Sequence, residues 1–143
     1  MERAYGSHPV AAVGAVVVRD GTVLLVRRGQ APLLGAWTLP GGAIELGETG
    51  PEALRRELNE ECGILVAVER VLDVVDLIET DGAHGVRFHY VIVEFLARYL
   101  GGELRASSDA AAARFVPPEA LRALGLSETA LRVVRLGLEA QRP

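Results

Sequence analysis

The chain has 143 residues, half of them hydrophobic and only 5% aromatic, which suits one domain with a core of Val, Leu, Ala and Ile and excludes a disordered chain. Its formal net charge of −4 argues against a nonspecific nucleic-acid binder, which needs a basic surface, but leaves an anionic small substrate open because bound cations invert a local field. The single cysteine, Cys62, excludes an internal disulfide and a zinc site built from several cysteines.

The N-terminal stretch "MERAYGSHPV" lacks the apolar core of a secretion signal. "VAAVGAVVV", Val10–Val18, is apolar but too short to cross a bilayer and reads as a buried strand, so a cytoplasmic protein without a membrane partner is the default expectation. "RDG" at Arg19–Gly21 is a turn, and Thr22–Arg28 the antiparallel partner of the first strand. Gly29–Gly35 is a loop. "AWTLPGG" is a short strand broken by Pro40 and the two glycines.

A helix follows, from about Gly50 to Cys62. Thr49 with Glu52 forms a capping box, Pro51 suits the first turn, and Leu54 and Leu58 supply an apolar stripe. Gly63 is the expected stop, because it tolerates the left-handed conformation. Ile64–Glu79 reads as one or two strands, Thr80–Gly85 as a loop and Val86–Tyr99 as a long strand. A polar loop, "GGELRASSDAA", leads to a short strand "ARFVPP" ending at Pro117. Two short helices are expected from Pro118, broken near Gly125, with Ser127 capping the second. Strands on both sides of a central helix, with a helical tail, predict a mixed α/β or α+β fold, a sheet covered by helices, as a single domain over residues 1–143.

The central helix carries Glu57, Glu60 and Glu61 within one narrow arc, where like charges repel. Arginines offer one remedy: Glu52–Arg56 and Arg56–Glu60 are i,i+4 pairs, and periodicity alone reads as a solvated, salt-bridged face. The upstream "LPGG" offers another. A sharp turn brings bare backbone near the carboxylates, and an all-oxygen environment suits a hard divalent cation such as Mg²⁺ with phosphate oxygens as further ligands.

Gly42, Glu48, Arg56, Glu57, Leu58, Glu60, Glu61, Gly63 and Ile64 together resemble the signature of the Nudix hydrolases: G, five residues, E, seven residues, R-E-U-x-E-E-x-G-U, with U bulky and aliphatic. Every fixed position matches at the right spacing, and the "G.W.LPGG" approach at Gly35–Gly42 extends the likeness. The resemblance implies an α/β/α sandwich with a mixed central sheet. It also implies hydrolysis of a pyrophosphate linkage in a nucleoside diphosphate joined to another moiety, with water as nucleophile and Mg²⁺, or Mn²⁺ in its place, as cofactor. By matching positions, Glu57 and Glu61 are the main metal ligands, Glu60 a further ligand or a catalytic base, and the Gly42 carbonyl a completing ligand. Arg56 orients a glutamate, and Glu48 lies behind the metal or on it. In some members a distal acid acts as base; here Asp109 is the best match and Glu103 the runner-up.

For substrate contacts, Arg27 and Arg28 flank the end of a strand where alternation lets only one face the cleft. Trp37 is a candidate for stacking on a base, and His84, His89 and Tyr90 are weaker ones. Cys62 is a packed residue rather than a nucleophile. Residues Leu65–Gly85 lack the proline common in ADP-ribose-specific members and the tyrosine common in dinucleoside polyphosphate hydrolases. The coenzyme A pattern is missing too. The style of the sequence is similar to short bacterial ADP-ribose pyrophosphatases and MutT-like members. The expected partner is a small nucleotide, ADP-ribose-like first and an oxidised or ordinary nucleoside triphosphate second, with a homodimer left open and no nucleic-acid polymer. A non-catalytic nucleotide-sensing domain is the opposing reading, though such domains usually lose glutamates that this chain keeps.

Overall fold

Seven consecutive residues of the first strand, Ala12 to Val18, are buried, which requires apolar side chains at every position rather than at alternate ones. This strand, β1 (Val10–Arg19), is the centre of the molecule in a computed structural model that describes residues 3–106 and 110–141. Asp20 and Gly21 both adopt positive φ, 50° and 76°, as a two-residue hairpin turn demands, and they reverse the chain into β2 (Thr22–Arg28).

The hairpin stays paired only at Val18↔Val23 and Arg19↔Thr22. Beyond that point β1 and β2 part. β4 (Gly41–Ala43) takes up the free edge of β1, pairing antiparallel with Ala12–Gly14, while β3 (Trp37–Thr38) pairs with the far end of β2. On its other edge β1 runs parallel to β6 (Val86–Gly102), which is paired antiparallel with β5 (Ile64–Thr80). β7 (Ala110–Val116) borders β2. The result is one mixed seven-stranded sheet, in the order β3-β2-β1-β6-β5 with β4 on β1 and β7 on β2, opened where its two wings diverge.

Alternation along β1 divides the core. Val13, Ala15 and Val17 meet Ala53, Leu54, Leu58 and Cys62 of α1 (Gly50–Cys62) on one face. Val16 and Val18 meet Val133 and Val134 of α2 (Glu128–Gln141) on the other. This is the expected α/β/α layering around a mixed sheet. At Gly137 α2 presses so closely on β1 that an added Cβ would lie 2.8 Å from Val16 Cγ1. Among the described residues no helix is long and apolar enough to cross a membrane.

One element settles an open alternative and one differs from expectation. Ile64–Thr80 is a single strand, and its register shifts near Val66, Arg70, Asp73 and Thr80 break the alternation, which is why it also read as two. The tail is two single turns of 3-10 helix, Pro118–Ala120 and Arg122–Leu124, stopped by Gly125 at φ 80°. One long helix then begins where the Ser127 hydroxyl accepts the Ala130 N–H at 3.1 Å.

Candidate active site

Local chemistry sets where α1 begins, and therefore which way its glutamates point. The Thr49 hydroxyl accepts the Glu52 N–H at 3.2 Å, and the Glu52 carboxylate accepts the Thr49 N–H at 3.3 Å, a complete capping box. Gly63, at φ 73°, donates its N–H to Asn59 and ends the helix. Leu54 and Leu58, fully buried, anchor the opposite face.

Arg56 spends its five N–H groups on a clamp. Nε and Nη2 grip both oxygens of Glu48 at 2.7 and 2.9 Å, and Nη2 also reaches the Ala43 carbonyl at 3.1 Å. Nη1 donates to Glu57 at 2.8 Å and, distantly, to Glu60 at 3.5 Å. The fork-on-fork geometry with Glu48 is the strong kind of ion pair, and it ties the loop after β4 to the helix. It holds the Glu48 carboxyl at about 2, helped by the Glu45 N–H, and Glu48 in turn raises the Arg56 guanidinium above its ordinary value. The helical pair expected between Glu52 and Arg56 is absent from this network, because Glu52 is committed to the cap. Glu48 lies behind Glu57 through Arg56.

The three clustered glutamates separate by depth. Glu61 is buried at 6% exposure, the Glu57 side chain is 15% exposed, and that of Glu60 is 60% exposed. Glu57 and Glu61 line one pocket of about 340 Å³ at the opening between the sheet's wings, and Glu60 is outside its lining. Gly42 lines the same wall. A Cβ there would sit 2.4 Å from the Glu57 carboxyl carbon, so only bare backbone lets that carboxylate settle against β4.

Among the described residues no three His, Cys, Asp or Glu side chains gather into a metal-holding cluster. What the pocket wall offers is two carboxylates beside a glycine backbone, oxygen donors only. A hard cation such as Mg²⁺ is suited by that set, since it uses one or two carboxylates and completes its shell with water and substrate phosphates.

The other expected residues fall as follows. Arg28 lines the pocket, with Nε held by the Pro32 carbonyl at 3.0 Å, whereas Arg27 is exposed on the other face of β2 and leans toward the Gly35 carbonyl at 3.4 Å. Trp37, expected at the substrate, is not in the pocket wall: β3 lays its ring against the core on the α2 side, beneath the Arg114 guanidinium at 4.9 Å. Tyr90 is in the wall; His89 is half-buried outside it, and His84 is exposed in the β5–β6 loop. Glu103 is exposed and away from the pocket. Asp109 lies outside the described residues. Cys62 is fully buried, and burial pushes its thiol up to about 12.

The sequence reading does not point to Gly14, Glu94, Ser127 or Thr129, all of which line the pocket. Glu94 had a visible signal, a lone acid inside the apolar run "YVIVEFLA". Ser127 and Thr129 had none beyond the cap, since only the packing of α2 brings its first turn to the opening.

Known proteins resemble this chain over most of its length. Residues 8–136 match the model of the NUDIX domain. The chain is 38% identical over 108 residues to an ADP-ribose pyrophosphatase of Methanocaldococcus jannaschii, covering 76% of this chain and 62% of that protein. It is 44% identical over 96 residues to a putative 8-oxo-dGTP diphosphatase 2 of Mycobacterium tuberculosis, covering 66% of this chain and 64% of that one. The chain thus spans less than two thirds of the length of both curated relatives. Among solved structures, a MutT NUDIX hydrolase from Burkholderia pseudomallei superposes with a TM-score of 0.78 at 31% identity, over 91% of this chain and 98% of that one.

Proposed function

The chain belongs to the Nudix family, and we propose that it hydrolyses the pyrophosphate linkage of a cytoplasmic nucleoside diphosphate joined to another moiety, an ADP-ribose-like compound first, with Mg²⁺ as cofactor and Mn²⁺ as its substitute. One observation carries the reading. Glu57 and Glu61 share a pocket wall with the bare backbone of Gly42, and the Arg56–Glu48 clamp orients Glu57 from behind. A solvated helix face would need neither a glycine cut to the shape of a carboxylate nor an arginine that grips both oxygens of Glu48 and the Ala43 carbonyl.

Glu57, Glu61 and the Gly42 carbonyl would hold the cation. When bound, it supplies charge neutralisation on the pyrophosphate oxygens and a lowered pKa for the attacking water. Arg56 aims Glu57 through the hydrogen bond from its Nη1. Arg28, on the opposite lip, meets the anionic substrate. Glu60, at the exposed edge of the helix, and Asp109 are the candidates to take the proton from water.

A nucleoside triphosphate, oxidised or ordinary, is the second reading, favoured by the likeness to the M. tuberculosis protein named for 8-oxo-dGTP. The complete set of signature glutamates favours an enzyme over a nucleotide sensor. A substrate panel with Mg²⁺, read by phosphate release, tests the proposal: turnover should vanish in EDTA and return with Mg²⁺ or Mn²⁺, and undiminished rates in EDTA would overturn it. In the same assay Asp109→Asn or Glu103→Gln should lose roughly 10²-fold in kcat if either is the base. Near-normal rates in both leave that task to the signature glutamates.

A further inference from the structure

Glu94 lies in the middle of β6, 7% exposed, and makes no hydrogen bond or ion pair with any other described residue. A carboxyl this far withdrawn from water without a partner in the fold is costly, and a ligand that bonds it would offset that cost. What little surface the residue keeps opens onto the pocket, whose wall it forms. Its place is made by Gly14, the parallel neighbour on β1: a Cβ there would fall 1.8 Å from Glu94 Oε1. The strand therefore carries a glycine where any other residue would push this carboxyl aside.

Glu94 is not part of the glutamate set around Gly42. Gly42 pairs with Val13, which faces α1, whereas Gly14 and Glu94 point to the α2 side. Asp73 on β5 stands across from Glu94 in the same layer, itself paired with Arg132 of α2. Burial first, and the Asp73 charge second, raise the Glu94 carboxyl to about 7. Phosphate groups would be repelled here. On the sheet its neighbours in the wall are Val75, Leu77, Tyr90 and Ile92, apolar side chains suited to a flat ring, and the start of α2 adds Ser127, Thr129 and Ala130.

We propose that Glu94 is the specificity-determining residue of the pocket, reading the N–H edge of the substrate's nucleobase while the pyrophosphate lies toward Glu57 and Glu61. This rests on the nucleotide substrate proposed above. The exocyclic amine and ring N–H groups of a base are the donors that a lone carboxyl in an apolar wall selects. A site built around such a bond rejects bases that cannot make it, because the buried group is then left unpaired.

The test uses AMP, GMP, CMP, UMP and ribose 5-phosphate, titrated calorimetrically at pH 8, above the raised Glu94 value, into the whole chain in EDTA. The wild type should separate the four nucleotides. Glu94→Gln, which keeps the shape and exchanges an acceptor for a donor, should reorder them by roughly tenfold or more, the size of a lost hydrogen bond to a charged group. Ribose 5-phosphate should bind both proteins alike. Gly14→Ala, which displaces the carboxyl without removing it, should blunt the same selectivity. Equal changes on all five probes, no change on any, or a wild type that binds no nucleotide would each overturn the proposal. The two readings fail separately. Turnover by a protein blind to the base would sink this inference and leave hydrolysis standing; base-selective binding without turnover in Mg²⁺ would do the reverse.

Discussion

Two carboxylate sites lie across β1 from each other, and they manage negative charge in opposite ways. On the α1 side, Glu48, Glu57 and Glu60 gather around Arg56, and Glu57 shares a pocket wall with Glu61 and Gly42. On the α2 side a single Glu94 stands among aliphatic and aromatic walls over Gly14. The first site offsets its negative charge with positive charge, partly from Arg56 and, in the proposed reaction, from a cation. The second makes ionisation costly and leaves the carboxyl to be completed by a ligand. Density of charge alone would have marked only the first as functional; the glycine cut to fit a carboxyl is common to both.

The largest effect that would break this contrast is at the crowded site. Glu57→Gln and Glu61→Gln should each lose several orders of magnitude in turnover while the fold survives. Wild-type protein should melt higher as Mg²⁺ rises, by about 2.7 kcal/mol at a hundredfold excess over Kd, and Glu57→Gln should gain much less. Equal Mg²⁺ shifts together with retained turnover would make the α1 side an ordinary charged helix.

Next in size is the clamp. Arg56→Lys keeps the charge but cannot hold Glu48 through two parallel bonds while also reaching Glu57 and Ala43. Activity should fall roughly 10–100-fold, the usual cost of losing a group that orients a metal ligand. Turnover within twofold of wild type would show that Glu57 needs no orientation.

At the sparse site the effect is on stability. Glu94 has its carboxyl raised from an ordinary 4.5 to about 7. The folded chain therefore binds this proton more tightly than the unfolded chain. The stabilisation that follows is fully present below about pH 4.5 and is lost as pH rises through about 7. Glu94→Gln removes the dependence, so the ligand-free variant should melt above wild type at pH 8, by up to about 3 kcal/mol, and close to it at pH 5. A gap that is the same at both pH values would show that the carboxyl is not strained by burial.

The smallest effect runs the other way. Glu48 is held at about 2, so the stabilisation it provides is present above the ordinary carboxylate range and is lost as pH falls toward 2. Glu48→Gln should therefore flatten the acid end of the stability profile and leave the region above pH 6 parallel to wild type. An acid limb of unchanged shape would show that the clamp does not couple to folding.

Some of this was present in the chain itself. The limits of α1 follow from Thr49, Glu52, Pro51 and Gly63, because capping is a contact between residues a few positions apart. The burial of β1 follows from its unbroken Val and Ala, and the candidate metal ligands from a spacing on one helix. Tertiary structure alone decided the remainder. Arg56 bonds Glu48 rather than Glu52 because the loop after β4 folds back over the helix. Glu60 turns outward while Glu61 turns in because Leu54 and Leu58, seated on β1, set the rotation of α1. Trp37 packs away from the pocket because β3 pairs with β2 and turns the ring toward the α2-side core. Glu94 becomes a pocket residue only when β6 aligns in parallel with β1 and sets it beside Gly14. Parallel pairing joins segments distant in sequence, and no local pattern of side chains can specify which glycine a buried acid will meet.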